Sequence, residues 1–402
     1  MKALDKTNGT MRRPKDLYRK DTRLWQYEDY ESTGLYYPGT GKLYCSPGKK
    51  LKNIYPLIYD PSNLIKAQYN AKKGKGRRTE IMRFDKHICD NLQALHDALK
   101  DGTYQPGGYK TKVITDPKER VISIAPFFPD RIVHHCIVNV LGQHWTHLFC
   151  DNTYACIKGR GTHKCMTDVH KALMADKKGT KYCLKIDVRK YFDNVDHQAL
   201  KEIVRYTIAD EDCLELLDKI IDSNGKDNGL PIGNYTSQYL ANLYLAYFDH
   251  WAKEALGLKY YYRYMDDIVV LHSSKERLHE VLDDFALYLG SRLKLEIKDN
   301  WQIFPVDARG IDYCGFRQNH YGILLRKSIL NRFYRKYNKM HTKGDVSIKD
   351  INDMMHLFPS EYGWIGRCSE MHSKYIYNKV IDNGNNTSIE RGLDKPHRSS
   401  YV

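Results

Sequence analysis

Three aspartates stand where carboxylate chemistry could be carried out. The run KYCLKIDV closes on Asp187, and YYRYMDDIVV puts Asp266 and Asp267 side by side between two apolar stretches. A carboxylate flanked by Ile, Val, Tyr and Met is costly to bury unless something compensates its charge. Divalent cations do so, and Mg²⁺ takes one or two carboxylates together with substrate phosphate oxygens. Two such ions ~3.5–4 Å apart can activate a 3′-hydroxyl and stabilise a leaving pyrophosphate in an in-line displacement. Spacing alone does not bring the three groups together, and an Asp-Asp pair in a hairpin turn is also ordinary turn chemistry.

The elements that must position these groups follow from periodicity. KYCLKIDV reads as a strand, and KYYYRYMDDIVVLH as two strands around a tight turn. Ahead of them, YKTKVIT and RVISIAP form a hairpin joined by DPKE. Helices are expected from Pro61–Ser62 onward and over DKHICDNLQALHDALKDG. Another covers DRIVHHCIVNVLGQHWTHLF, with Ile132, Cys136 and Val140 in register. Further helices are QALKEIVRYTI, DEDCLELLDKIID and SKERLHEVLDDFALYLGS. A single helix is expected over 236–256, with Leu240, Leu243, Tyr247 and Trp251 on one stripe. Strands and helices mix between 101 and 320 without a regular strand–helix–strand repeat, which favours α+β. From 326 the pattern is helical. Residues 1–56, rich in Tyr, Gly and Lys, read as a loosely structured N-terminal extension of unknown role, and 382–402 as a disordered tail.

The chain has 402 residues, with 64 Lys and Arg against 49 Asp and Glu, a net charge of +15. At roughly 100–200 residues per domain, that length predicts two to four compact units. An apolar fraction of 42% with 28% charged residues excludes a wholly disordered chain. The apolar runs fall far short of the ~20 residues of a membrane span, and the N-terminus carries no secretory pattern. Ten Cys without a C-x-x-C pair read as reduced thiols, so a cytoplasmic location and no membrane partner are expected. His134, His135, Cys136, His144, His147 and Cys150 match no structural zinc spacing and read as core and surface positions. The positive surplus suits a polyanion or simply keeps the protein soluble. Its distribution favours the first, because residues 313–344 hold eight Lys or Arg and no acid, interleaved with Tyr321, Tyr334 and Tyr337. A second basic run is KKGKGRR at 72–78.

YMDD, preceded in order by LKIDVRKYFDNVDH and LPIGNYTSQ, resembles the palm core of reverse transcriptases across residues 60–380. The resemblance implies a right-hand polymerase fold: fingers over 57–180, an antiparallel-sheet palm with primer grip over 181–320, and a helical thumb over 321–381. It implies two Mg²⁺ ions and dNTP substrates, with template RNA and an RNA/DNA primer duplex as partners. Asp187 and Asp266 match the metal-ligating aspartates, and Asp267 the third catalytic carboxylate. Phe192 matches the steric-gate aromatic that excludes a 2′-hydroxyl. Arg120 matches the fingers Arg that holds the triphosphate, with Lys112 its companion and Lys110 and Lys118 as rivals. Lys298 resembles the general acid for pyrophosphate. DYCGF at 312–316 resembles the primer grip, and EYGWIGRCSEMHSKY at 361–375 the thumb helices.

The loop LPIGNYTSQ separates subfamilies. Retroviral and group II intron enzymes usually carry Gln before the Gly and end the motif in Ser-Pro; here Ile232 precedes Gly233, and Gln238 takes the place of that Pro. This form resembles the reverse transcriptases of diversity-generating retroelements, which copy a template-repeat RNA with errors at adenines. An apolar Ile232 cannot hydrogen-bond an incoming nucleotide, and one neutral hydrogen bond is worth ~0.5–1.5 kcal/mol, or about tenfold in discrimination. The bland reading makes Ile232 a packing residue. The resemblance further implies a bacterial or phage-encoded enzyme and a basic, pentameric accessory protein. No RNase H, maturase or H-N-H region is expected after the thumb. The 1–56 extension is longer than such enzymes need, which leaves a bacterial antiphage-defence reverse transcriptase with its own noncoding RNA as the alternative. A catalytically dead RNA-binding palm is disfavoured by the intact Asp187, Asp266, Asp267 and Phe192.

Overall fold

Several helices begin where a short acidic side chain takes up an otherwise unbonded backbone N–H. Asp60, Asp196, Asp210 and Asp350 accept from Ser62, Ala199, Cys213 and Asp353, opening helices Pro61–Lys72, His197–Thr207, Glu211–Ile221 and Ile351–Leu357. The structure is a computed structural model that describes residues 50–115, 119–342, 348 and 350–381. The tail at 382–402, the rival Lys118, and the N-terminal extension except residues 50–56 lie outside the described residues. Leu51 exchanges backbone bonds with the 207–209 segment, its N–H donating to Thr207 at 3.0 Å and its carbonyl accepting from Ala209 at 2.9 Å.

Among the described residues, nine strands form three sheets. β1 (Lys110–Ile114) and β2 (Arg120–Ile124) are an antiparallel hairpin pairing Lys110 with Ile124 and Ile114 with Arg120. β3 (Tyr182–Asp187), β4 (Tyr260–Tyr264), β5 (Asp267–His272) and β6 (Gln302–Pro305) lie in the order β4-β5-β3-β6. β7 (Ile311–Tyr313), β8 (Phe316–Asn319) and β9 (Gly322–Leu325) form an antiparallel meander. With helices throughout, the architecture is α+β, as expected. Among the described residues no helix is long and apolar enough to cross a membrane.

Two compact units are present. The first comprises, among the described residues, 50–158, 184–270 and 276–302. Its central helix, Ile132–Leu148, buries Ile132, Val133, Cys136, Ile137, Leu141 and Trp145, and packs against Pro61–Lys72 and Tyr235–Tyr244. The second comprises 159–183, 271–275 and the described residues from 303 on. Its core gathers Met166 from helix Thr162–Ala175, Phe316 and Leu325 from the meander, and Phe333, Tyr337, Phe358, Ile365 and Ile376 from the C-terminal helices.

The expected helix over 236–256 is two helices, Tyr235–Tyr244 and Ala246–Glu254, broken at Leu245. The cause lies in the turn before the break. The carbonyl of Ala241 accepts from the Tyr191 hydroxyl, and that of Asn242 accepts from Arg263 at 3.4 Å. Both are acceptors that an unbroken helix would use for the N–H groups of Leu245 and Ala246.

Candidate active site

Three chain segments lie side by side at one end of β3. The N–H of Val188 donates to the carbonyl of Asp266 at 3.1 Å, and the N–H of Lys298 donates to the carbonyl of Asp187 at 2.9 Å. Val188 also pairs antiparallel with Ile297. This backbone ladder brings the YMDD turn and Lys298 to either side of Asp187. Along β3 the residues Cys183, Leu184 and Ile186 are buried, while Lys185 and Asp187 share the less buried face.

The electrostatics follow from that placement. Asp266 is held above the usual carboxylate range, first by burial and then by the charge of Asp187, with Lys298 and Arg120 opposing. The Lys298 ammonium pairs with the Asp187 carboxylate. Asp267 faces Lys185, whose ammonium lies 3.3 Å away, and burial still pushes its carboxyl up to about 6. Asp187, Lys298 and Arg120 thus all act on Asp266. Among the described residues no three His, Cys, Asp or Glu side chains are gathered closely enough to hold a metal ion by themselves. Two mutually repelling carboxylates nonetheless suit Mg²⁺, which completes its shell with substrate phosphate oxygens and water.

The groups expected around a nucleotide are linked by backbone bonds. In the hairpin register, Lys110, Lys112 and Arg120 fall on the same face, with Lys112 nearer to Arg120 than Lys110 is. Ser123, on β2, donates its N–H to the carbonyl of Ile232 at 2.8 Å. Gly233 has φ +122°, and a Cβ there would lie 2.6 Å from the Ser123 carbonyl oxygen and 3.0 Å from Ile122. Only glycine allows the loop so close to β2. Ile232 is half-buried, as is Gln238 in helix Tyr235–Tyr244. Phe192 is also half-buried, set edge-on to Tyr191, and its carbonyl accepts from the N–H of Leu230 at 2.7 Å. One run of backbone contacts therefore joins Phe192, the 229–233 loop and the strand that carries Arg120.

In the second unit, DYCGF forms the turn between β7 and β8, with Cys314 and Gly315 both at positive φ (50° and 85°). The Trp364 ring stacks on Phe316 at 5.0 Å. The 361–375 segment spans parts of helices Pro359–Ile365 and Glu370–Ile381. Helix Lys327–His341 buries Phe333 and Tyr337 and carries Arg332, Arg335, Lys336 and Lys339, so the acid-free stretch is an amphipathic helix in its central part.

Sequence reasoning missed Lys185, Arg263 and Asp249. Lys185 was legible as the residue two before Asp187, which strand alternation puts on the same face. The Arg263–Asp249 pair had no sequence signal, because its members come from a strand and a helix whose meeting only the fold defines.

An α+β protein with paired aspartates at a strand end and an adjacent strand-turn, flanked by Lys and Arg, has the makings of a nucleotidyl-transfer centre. Residues 110–317, just over half of the chain, match the family "Reverse transcriptase (RNA-dependent DNA polymerase)". The chain belongs to that family. It is 28% identical over 288 residues to "Protein YkfC" of Escherichia coli (strain K12), covering 67% of this chain and 70% of that protein. It is 24% identical over 206 residues to "Group II intron-encoded protein LtrA" of Lactococcus lactis subsp. cremoris, covering 48% of this chain but only 34% of that protein. Among solved structures, telomerase from Candida tropicalis, truncated from its C-terminal domain, is similar at 14% identity and a TM-score of 0.43. That match covers 60% of each chain.

Proposed function

We propose that this chain is an RNA-directed DNA polymerase that copies a template-repeat RNA into error-prone, adenine-mutagenised cDNA for a diversity-generating retroelement. The observation that carries the polymerase part is the mutual placement of Asp187, Asp266 and Lys298 at one end of β3, with the charge of Arg120 acting on Asp266. The retroelement part rests on Ile232 and Gly233 in the loop bonded to β2, and on Gln238 in the helix that follows it.

Asp187 and Asp266 would hold Mg²⁺, with Asp267 adjoining them. Bound there, the metal would supply charge neutralisation at the triphosphate and lower the cost of ionising the primer 3′-hydroxyl. Arg120, with Lys112 beside it on the hairpin face, orients the triphosphate of the incoming dNTP through charge-assisted hydrogen bonds. The Phe192 ring fills the space that a 2′-hydroxyl would need. Lys298 gives up a proton to the departing pyrophosphate, which requires it to leave its pairing with Asp187. Ile232 offers the nucleotide surface but no hydrogen bond, which relaxes selection by about tenfold. A basic accessory protein that presents the template RNA would complete the assembly.

The test is primer extension by the purified protein on a defined RNA template with Mg²⁺ and dNTPs, with Asp266→Asn as control and every product sequenced. Extension lost in the variant, with errors concentrated opposite template adenine, supports the proposal. Extension with a low, even error spectrum favours a defence-type reverse transcriptase. Within this assay, Ile232→Gln should lower the error rate, and an unaltered spectrum returns Ile232 to a packing role.

A further inference from the structure

Beneath the YMDD turn lies an ion pair that the chemistry above does not use. Arg263 and Asp249 are both wholly buried and bonded through two contacts, Nε to Oδ1 at 2.7 Å and Nη2 to Oδ2 at 2.6 Å. The Asp249 carboxylate also accepts from the Tyr261 hydroxyl at 2.6 Å and the Thr153 hydroxyl at 2.9 Å. A buried pair of this kind is rarely worth more to stability than apolar residues of the same volume, so its presence calls for another role.

The remaining fork of Arg263 supplies one. Nη1 donates to the carbonyl of Met265 at 3.0 Å and to Asn242 Oδ1 at 3.2 Å. Met265 sits at φ +58°, a left-handed conformation that a side-chain-bearing residue holds only when its surroundings impose it. Its carbonyl belongs to the peptide that leads into Asp266. The backbone of Arg263 is fixed as well, donating to Asn152 at 2.9 Å and accepting from Tyr154 at 3.1 Å.

We infer that Arg263, clamped by Asp249, is a positioning residue that holds the Met265 peptide in its left-handed turn and so aims the Asp266 carboxylate. The inference rests on the polymerase reading above. A planar guanidinium can grip a carboxylate with two donors while a third reaches the turn; a lysine ammonium has no such fork. Asp249 keeps the fork aligned, and Tyr261 and Thr153 keep Asp249 aligned.

Two variants test this. Arg263→Lys keeps the charge and loses the fork; the double variant Tyr261→Phe/Thr153→Val removes two hydrogen bonds from Asp249 and nearly preserves volume. For each, the primer-extension rate per active site, from active-site titration, is measured beside template–primer affinity and the melting temperature. Arg263→Lys should lower the rate per active site on the order of 100-fold, as expected of a misplaced reacting group. Template–primer affinity should not change. The double variant should fall in the same direction by about tenfold. If the variants lose only folded protein, and each remaining active site extends primer at the wild-type rate, the inference is overturned. Should Arg263→Lys fail to fold, the double variant decides by the same criterion. A wild-type chain that binds template–primer and never extends it overturns the polymerase reading itself, which is separable from failure of the variants alone.

Discussion

Gly233→Ala probes the contact that joins the LPIG loop to the β1–β2 hairpin. The residue's φ of +122° costs a side-chain-bearing residue about 1–3 kcal/mol. The new Cβ would also stand 2.6 Å from the Ser123 carbonyl oxygen, a backbone atom that cannot swing aside. Relief requires the loop to retreat, which breaks the 2.8 Å bond from Ser123 to Ile232, worth about 1 kcal/mol. The expected total is about 2–4 kcal/mol. Gly225→Ala is the matched control: its φ is +69°, nothing lies within 4 Å of an added Cβ, and it should cost about 1 kcal/mol. Equilibrium urea unfolding of the two variants beside the wild type compares a positive-φ glycine held against a neighbouring backbone with one in open space. Because β2 begins at Arg120, a displaced loop should also raise the KM for dNTP in primer extension. Equal unfolding costs for the two variants, with KM unchanged, would refute the reasoning that close approach fixes this glycine.

Phe192→Ala should admit ribonucleotides, measured as the ratio of rNTP to dNTP incorporation; unchanged sugar selectivity would remove the steric-gate role. Gly315→Ala, at φ +85°, should lower unfolding stability by more than about 2 kcal/mol, because its Cβ would run into the Trp364 ring. Gly363→Ala, in a helix with open space around it, should be neutral or stabilise by up to about 1 kcal/mol. A neutral Gly315→Ala would mean that Trp364 does not dock there. His134 is wholly buried beside the Thr236 hydroxyl at 2.8 Å, and burial, with His135 and Arg131 adding to it, lowers its pKa to about 3. A base depressed on folding binds its proton only in the unfolded chain. Its contribution is therefore complete above pH 6.5 and lost as pH falls toward 3, at about 1.4 kcal/mol per pH unit. His134→Gln should flatten the fall in urea midpoint between pH 6.5 and 4, and parallel curves would show that His134 is not the source.

Much of this was legible locally. The hairpin of β1 and β2, the strand ending at Asp187, and the strand-turn-strand around Met265 follow from alternation bounded by turn residues. Helix Thr162–Ala175 buries Cys165, Met166, Val169, Ala172 and Leu173, an i, i+4, i+7 spacing that periodicity alone makes legible. The break at Leu245 was invisible because its cause is side chains distant in sequence, Tyr191 and Arg263, competing for helix carbonyls. For the site, residue type identified the three aspartates, Arg120 and Lys298 as candidates, but not their partners. Lys185 beside Asp267 needed only strand alternation, whereas Asp249 beneath Arg263 needed the helix and the strand to meet.

The sequence by itself determined the class of chemistry. Aspartates at strand ends, an aromatic five residues after the first, and a glycine loop in fixed order are local facts, set by side-chain type and backbone propensity. Only the tertiary structure decided which charges answer which. It set Lys298 on Asp187, Lys185 on Asp267, and a buried Arg263–Asp249 pair under the turn. Electrostatic energy depends on distance and burial, and neither is written in the spacing of residues along the chain.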